Sequence, residues 1–71
     1  MAEQGCKLFY ENLSNRDIQG EFEKFGQVVD VYNTGKGFAF VTFDRKEDAA
    51  TATREMDGAT VNGQQIKVGG D

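Results

Sequence analysis

The chain has 71 residues, 38% of them hydrophobic and 28% charged, which allows one small globular core and leaves no room for a second. Eight lysines and arginines stand against twelve acids, for a net charge of −4, and that balance taken alone argues against a basic nucleic-acid-binding domain. One cysteine, Cys6, and no histidine exclude an internal disulfide, a Cys/His metal set and a Ser/His or Cys/His catalytic dyad.

In chain order, Lys7-Leu8-Phe9-Tyr10-Glu11 reads as a first strand, closed by Asn12-Leu13-Ser14-Asn15. Asn15 is the expected N-cap of a helix over Arg16–Phe25, with Ile18, Phe22 and Phe25 at helical spacing and Gly26 as its stop. Val28–Tyr32 is rich in β-branched residues and predicts a second strand. Asn33-Thr34-Gly35 then turns the chain into a third, Gly37–Phe43, as an antiparallel hairpin. Asp44-Arg45-Lys46-Glu47 fits a capping box with Asp44 as the cap, opening a helix to about Met56 that Asp57-Gly58 ends. Ala49, Ala52 and Met56 fall on one side of it. After the Asn62-Gly63 turn, Gln65-Ile66-Lys67-Val68 supplies the last strand.

The order β-α-β-β-α-β predicts an α+β fold of ferredoxin-like type: a four-stranded antiparallel sheet with both helices on one face. The domain is expected over residues 6–69, with 1–5 and 70–71 as flexible termini. No apolar run reaches the roughly 20 residues that span a bilayer, and residues 1–5 lack the apolar core of a signal peptide. No membrane partner is therefore expected.

Strand alternation separates the two faces of the sheet. Ala39, Val41 and Phe43 share one side with Leu8, Ile66 and Val68, and the helices need that side. Phe9, Phe38 and Phe40 then fall on the uncovered side, where three phenylalanines in water are unfavourable unless they serve a ligand. Flat rings on adjacent strands suit flat ligands such as bases.

Lys36-Gly37-Phe38-Ala39-Phe40-Val41-Thr42-Phe43 meets every position of the pattern K/R-G-F/Y-G/A-F-V-x-F/Y. With this octapeptide the chain resembles the RNA recognition motif family. Leu8-Phe9-Tyr10-Glu11-Asn12-Leu13 is similar to the family's companion hexapeptide, and the likeness runs from about Lys7 to Val68. Three details are similar to the first such domain of SR-type splicing factors: the Cys6-Lys7 lead-in, the short loop before Lys36 and the Ala52-Thr53-Arg54 step.

The resemblance implies a monomeric module that binds single-stranded RNA in splicing or other mRNA processing, in the nucleus or shuttling to the cytoplasm, with no enzymatic activity and no cofactor. It implies that Phe9, Phe38 and Phe40 stack on bases or sugars and that Lys36 meets a phosphate. Tyr32 is a candidate fourth ring. Lys7, Lys67 and Gln65 are candidate contacts by sheet parity. Glu11 stands where the family usually has Gly or Asn, on the RNA-facing side, where it would repel phosphate or accept from a base amino group. Tyr10 replaces an inward Val or Ile, so its hydroxyl needs a partner.

Assigned by face, the helices and their caps carry eight acids against five bases, whereas the open sheet carries Lys7, Lys36 and Lys67 against Glu11 and Asp30. The acidity thus lies mostly on the far side and predicts weak, stacking-dominated RNA binding. The alternative is a protein-interaction module that uses the acidic helix face (Glu21, Glu23, Glu47, Asp48, Glu55) or the aromatic sheet to hold a peptide.

Overall fold

A computed structural model describes residues 4–70. Residues 1–3 and 71, part of the expected flexible termini, lie outside the described residues. The strands are β1 (Gly5–Phe9), β2 (Val28–Asn33), β3 (Phe38–Phe43), β4 (Thr60–Val61), β5 (Gln64–Gln65) and β6 (Lys67–Gly70). The helices are α1 (Asn15–Phe22) and α2 (Lys46–Met56). β2, β3, β1 and β6 form one antiparallel sheet in that spatial order, which is the expected ferredoxin-like arrangement. Gly5 and Gly70 lie within its strands, one residue beyond either expected domain limit.

Apolar periodicity decides what each element buries. Leu8, Ala39, Val41 and Phe43 are fully buried, as are Ile18 and Phe22 of α1 and Ala49 and Ala52 of α2. The small alanines let α2 lie close to the sheet, and Cys6 packs against it with its thiol donating to the Ala49 carbonyl at 3.1 Å. Burial pushes that thiol's pKa up, and its contact with Thr53 offsets part of the rise.

The ends of both helices depart from expectation. Ser14, not Asn15, caps α1: its hydroxyl accepts from the Asp17 backbone N–H while the Asp17 carboxylate accepts from the Ser14 N–H, a complete capping box. The α-helix ends at Phe22 and tightens into a single 3-10 turn, Glu23–Phe25. The box expected at Asp44 does not form. The Asp44 N–H donates to the Gln27 carbonyl and its own carbonyl accepts from Gln4, so the chain enters α2 one residue later, at Arg45.

The last strand also differs. Gln65 belongs to a separate two-stranded hairpin, β4–β5, turned by Asn62 and Gly63, both at positive φ. The sheet strand starts only at Lys67. At the other edge, β2 carries a bulge: Val28 pairs with Phe43 and Asp30 with Thr42, which leaves Val29 unmatched and exposed.

Gly26 explains the close packing between the 3-10 turn and α2. A Cβ there would lie 2.1 Å from an Asp48 carboxylate oxygen, so any side chain would push the two elements apart.

Candidate nucleic-acid interface

The helices cover one face of the four-stranded sheet, and the pleat assigns the other face residue by residue. Phe9 on β1 pairs with Phe38 on β3 and with Lys67 on β6. Lys7 pairs with Phe40 and with Gly69, and Phe40 pairs in turn with Tyr32 on β2. Directly paired residues in an antiparallel sheet point to the same side. Six of the predicted site residues (Lys7, Phe9, Tyr32, Phe38, Phe40 and Lys67) therefore share the uncovered face.

The four rings form a continuous array. Phe9 and Phe38 have centroids 6.0 Å apart, Phe38 and Phe40 5.9 Å apart edge-to-face, and Phe40 and Tyr32 6.4 Å apart and nearly parallel. These separations lie in the range of favourable aromatic pairs, so the rings hold one another in place before any ligand arrives. Phe9 is 48% exposed and Tyr32 61% exposed, which leaves broad flat surface open to solvent.

Above the array sits one cation. The Lys7 Nζ lies 5.2, 4.8 and 5.5 Å from the centroids of Phe9, Phe38 and Phe40. All three distances are within cation–π range. In the free protein Lys7 thus occupies the space directly over the rings. Beside it Gly69 leaves the β6 side bare, since a Cβ there would meet nothing within 4 Å.

The remaining predicted residues lie at one end of the face or off it. The Tyr10 N–H donates to the Gly37 carbonyl at 3.0 Å, extending the β1–β3 pairing one step past Phe9. Glu11 and Lys36 lie beyond the paired ends of β1 and β3, and both are exposed. Tyr10 packs against the core, and its hydroxyl finds the partner it needs by donating to Asn33 Oδ1. Burial raises the Tyr10 pKa and the bond to Asn33 lowers it in part.

Asn33 ties three segments together: its Oδ1 also accepts from the Gly35 N–H, and its Nδ2 donates to the Leu13 carbonyl. Gly37 stands at φ +94 in the loop before β3, a conformation that favours glycine at this motif position. Gln65 lies outside the four-stranded sheet, with its amide nitrogen donating to the Gly58 carbonyl at 3.1 Å.

Sequence reasoning missed Gln64. Its Oε1 accepts from the backbone N–H groups of Glu11 (2.5 Å) and Asn12 (3.2 Å), and its Nε2 donates to the Asn12 carbonyl (2.9 Å). One side-chain amide thereby fixes the loop that follows β1. Nothing in local composition marks it, because the partners are more than fifty residues away in sequence.

Comparison with known proteins agrees with this geometry. The family model described as RNA recognition motif matches residues 6–67. RNA-binding protein 1 of Drosophila melanogaster is 39% identical over 69 residues, which cover 89% of this chain and 48% of the relative. The chain thus spans about half the length of that curated relative. Among solved structures, the C. elegans NONO-1 homodimer superposes with a TM-score of 0.90 at 23% identity, covering all of this chain and 29% of that one. The third such domain of Mip6 gives 0.86 at 16% identity, covering 99% and 94%. A Sxl-lethal protein/RNA complex gives 0.83 at 21% identity, covering 96% and 46%. With the octapeptide on β3, the hexapeptide on β1, the ferredoxin-like topology and the family match over nearly its whole length, the chain belongs to the RNA recognition motif family.

Proposed function

We propose that this domain binds a short single-stranded stretch of RNA across its open sheet and acts in mRNA processing, splicing above all, in the nucleus or shuttling from it. The observation that carries this reading is the array of four coupled rings on the face the helices leave free. The family match and the fruit-fly relative named for RNA binding support it.

Phe9 and Phe40 each stack a base, Phe38 packs against a sugar or a base step, and Tyr32 extends the platform toward β2. Lys7 leaves the rings as bases arrive and turns, with Lys36 and Lys67, to the phosphates. Gln65 contributes at most its amide oxygen at the margin. The domain works as a monomeric binding module, and the chemistry it performs is recognition, not turnover.

Each stacked ring contributes about 1–3 kcal/mol. Loss of both Phe9 and Phe40 therefore abolishes measurable binding of a complex of roughly micromolar affinity. With three lysines on the phosphates, log K falls with log salt at a slope near −2, from about 0.7 per phosphate on single strands.

The test is a titration of amide chemical shifts with a pool of short single-stranded RNAs. Shifts centred on Phe9, Phe38, Phe40 and Lys67 are expected. No shift at high micromolar RNA, or a slope steeper than about −4, would remove this reading. Shifts on α1 and α2 with a peptide partner instead would favour the protein-interaction alternative.

A further inference from the structure

One side chain stands over three of the four rings on the open face. The Lys7 Nζ lies 4.8 Å from the Phe38 centroid, 5.2 Å from that of Phe9 and 5.5 Å from that of Phe40. Contacts of that length hold a single ammonium on rings from two strands. Among the described residues the ion pairs are Lys24–Glu21 and Arg54–Glu55, so none of their carboxylates draws this charge off the rings.

Lys7 also has space to move into. Its partner on β6 is Gly69, and a Cβ there would meet nothing within 4 Å. Lys67 stands two residues from that bare position on the same strand and the same side of the sheet. The flexible four-carbon stem of a lysine can thus carry the ammonium off the rings without leaving the face.

We propose that Lys7 is a specificity-determining residue, whose ammonium closes the rings to uncharged flat ligands and yields them to ligands that bring a phosphodiester. The inference rests on the RNA-binding reading above and adds to it which backbone chemistry the face admits. A base in contact with Phe38 lies about 3.5–4 Å from the ring. That is inside the 4.8 Å at which the ammonium stands, so the two do not share the ring. Stacking any ligand there breaks the cation–π contacts. A neutral ligand gives nothing in return, and the loss weakens its binding about fivefold. A phosphodiester offers the displaced ammonium an anionic oxygen, a charge-assisted partner that replaces the lost contacts. The rings stay covered until a phosphate arrives with the base.

The test compares two heptamers of one base sequence, an RNA and an end-capped peptide nucleic acid that carries no charge. Both are titrated into the chain and followed by the amide shifts of Phe9, Phe38 and Phe40. Lys7→Thr keeps a strand-forming residue but is too short to cover the rings. It is expected to tighten the neutral heptamer about fivefold, which loss of a phosphate contact alone cannot do. For RNA the same change is expected to flatten the salt slope from near −2 to about −1.4. Lys7→Arg keeps a cation over the rings and is expected to hold the neutral heptamer within about twofold of native. In the native free chain, ring currents are expected to move the Lys7 side-chain protons upfield of those of the other lysines. Saturating RNA is expected to return them.

Unshifted Lys7 protons in the free chain, or neutral-heptamer binding that Lys7→Thr leaves unchanged or weakens, overturn the inference while the stacking reading stands. An RNA salt slope that Lys7→Thr leaves at its native value does the same. Failure of the RNA heptamer to shift Phe9, Phe38 and Phe40 in the native chain overturns both.

Discussion

Phe40 and Phe43 lie three residues apart on β3, yet they belong to different parts of the molecule. Phe43 is sealed beneath the helices, fully buried and tilted against Phe22 with centroids 6.3 Å apart. Phe40 lies on the opposite side, between Phe38 and Tyr32, partly open to solvent and near the Lys7 ammonium. The same residue type stabilises the fold on one face and offers surface on the other. Strand parity makes the assignment, because a pleated strand cannot send neighbouring side chains to the same side.

Mutation can break or sharpen that contrast. The largest effect is expected for Phe43→Ala, which removes a buried ring and destabilises the domain by about 3–5 kcal/mol in urea unfolding. Such a loss is a large share of the stability of so small a domain. Phe40→Ala is expected to weaken RNA binding by about 1–3 kcal/mol while moving the urea midpoint far less than Phe43→Ala does. Equal destabilisation by the two changes would place Phe40 in the core and end the contrast.

Tyr10→Phe tests the boundary between the faces. It deletes the hydroxyl that donates to Asn33 and should lower stability by about 1 kcal/mol, since Asn33 keeps its bonds to Gly35 and Leu13. An effect of similar size belongs to the rim of α1. Ser14→Ala removes its cap and is expected to lower stability by about 1 kcal/mol.

That change also alters the acid limb. The Ser14 backbone N–H and hydroxyl, with Asn62 after them, hold the Asp17 pKa below its ordinary value of 3.8. A carboxylate lowered in the folded state adds stability above that ordinary value and loses it as pH falls through the folded one. Stability measured from pH 5 downward should therefore decline less steeply in Ser14→Ala. The Ser14 backbone N–H survives the change, so an unchanged slope would show that this N–H, and not the hydroxyl, governs the Asp17 titration.

The sequence made the two faces legible because β3 states them outright, in Phe38-Ala39-Phe40-Val41-Thr42-Phe43. The β1 and β6 positions follow from simple alternation. What stayed hidden depends on contacts between distant segments. Asp44-Arg45-Lys46-Glu47 has the letters of a capping box, but tertiary bonds to Gln27 and Gln4 hold Asp44 outside the helix. The real box, Ser14 to Asp17, uses Asp where the common pattern has Glu or Gln. Gln65 reads as part of a long last strand because the break at Ile66 follows from backbone bonds to Gly58 and Ala59, which composition does not show. The Lys7 side chain lies over three rings from two strands, an arrangement visible only once the strands are paired.

The bulge at Val29 matters for how this domain meets copies of itself in a crowded solution. β2 is an outer strand of the sheet, and an outer strand offers a row of unpaired backbone groups that another extended chain can join. The extra residue breaks the repeat of that row between Val28 and Asp30 and twists it locally. A chain laid along β2 loses register there, so growth by strand addition stalls at that edge. A one-residue irregularity thus guards an otherwise exposed sheet margin against aggregation.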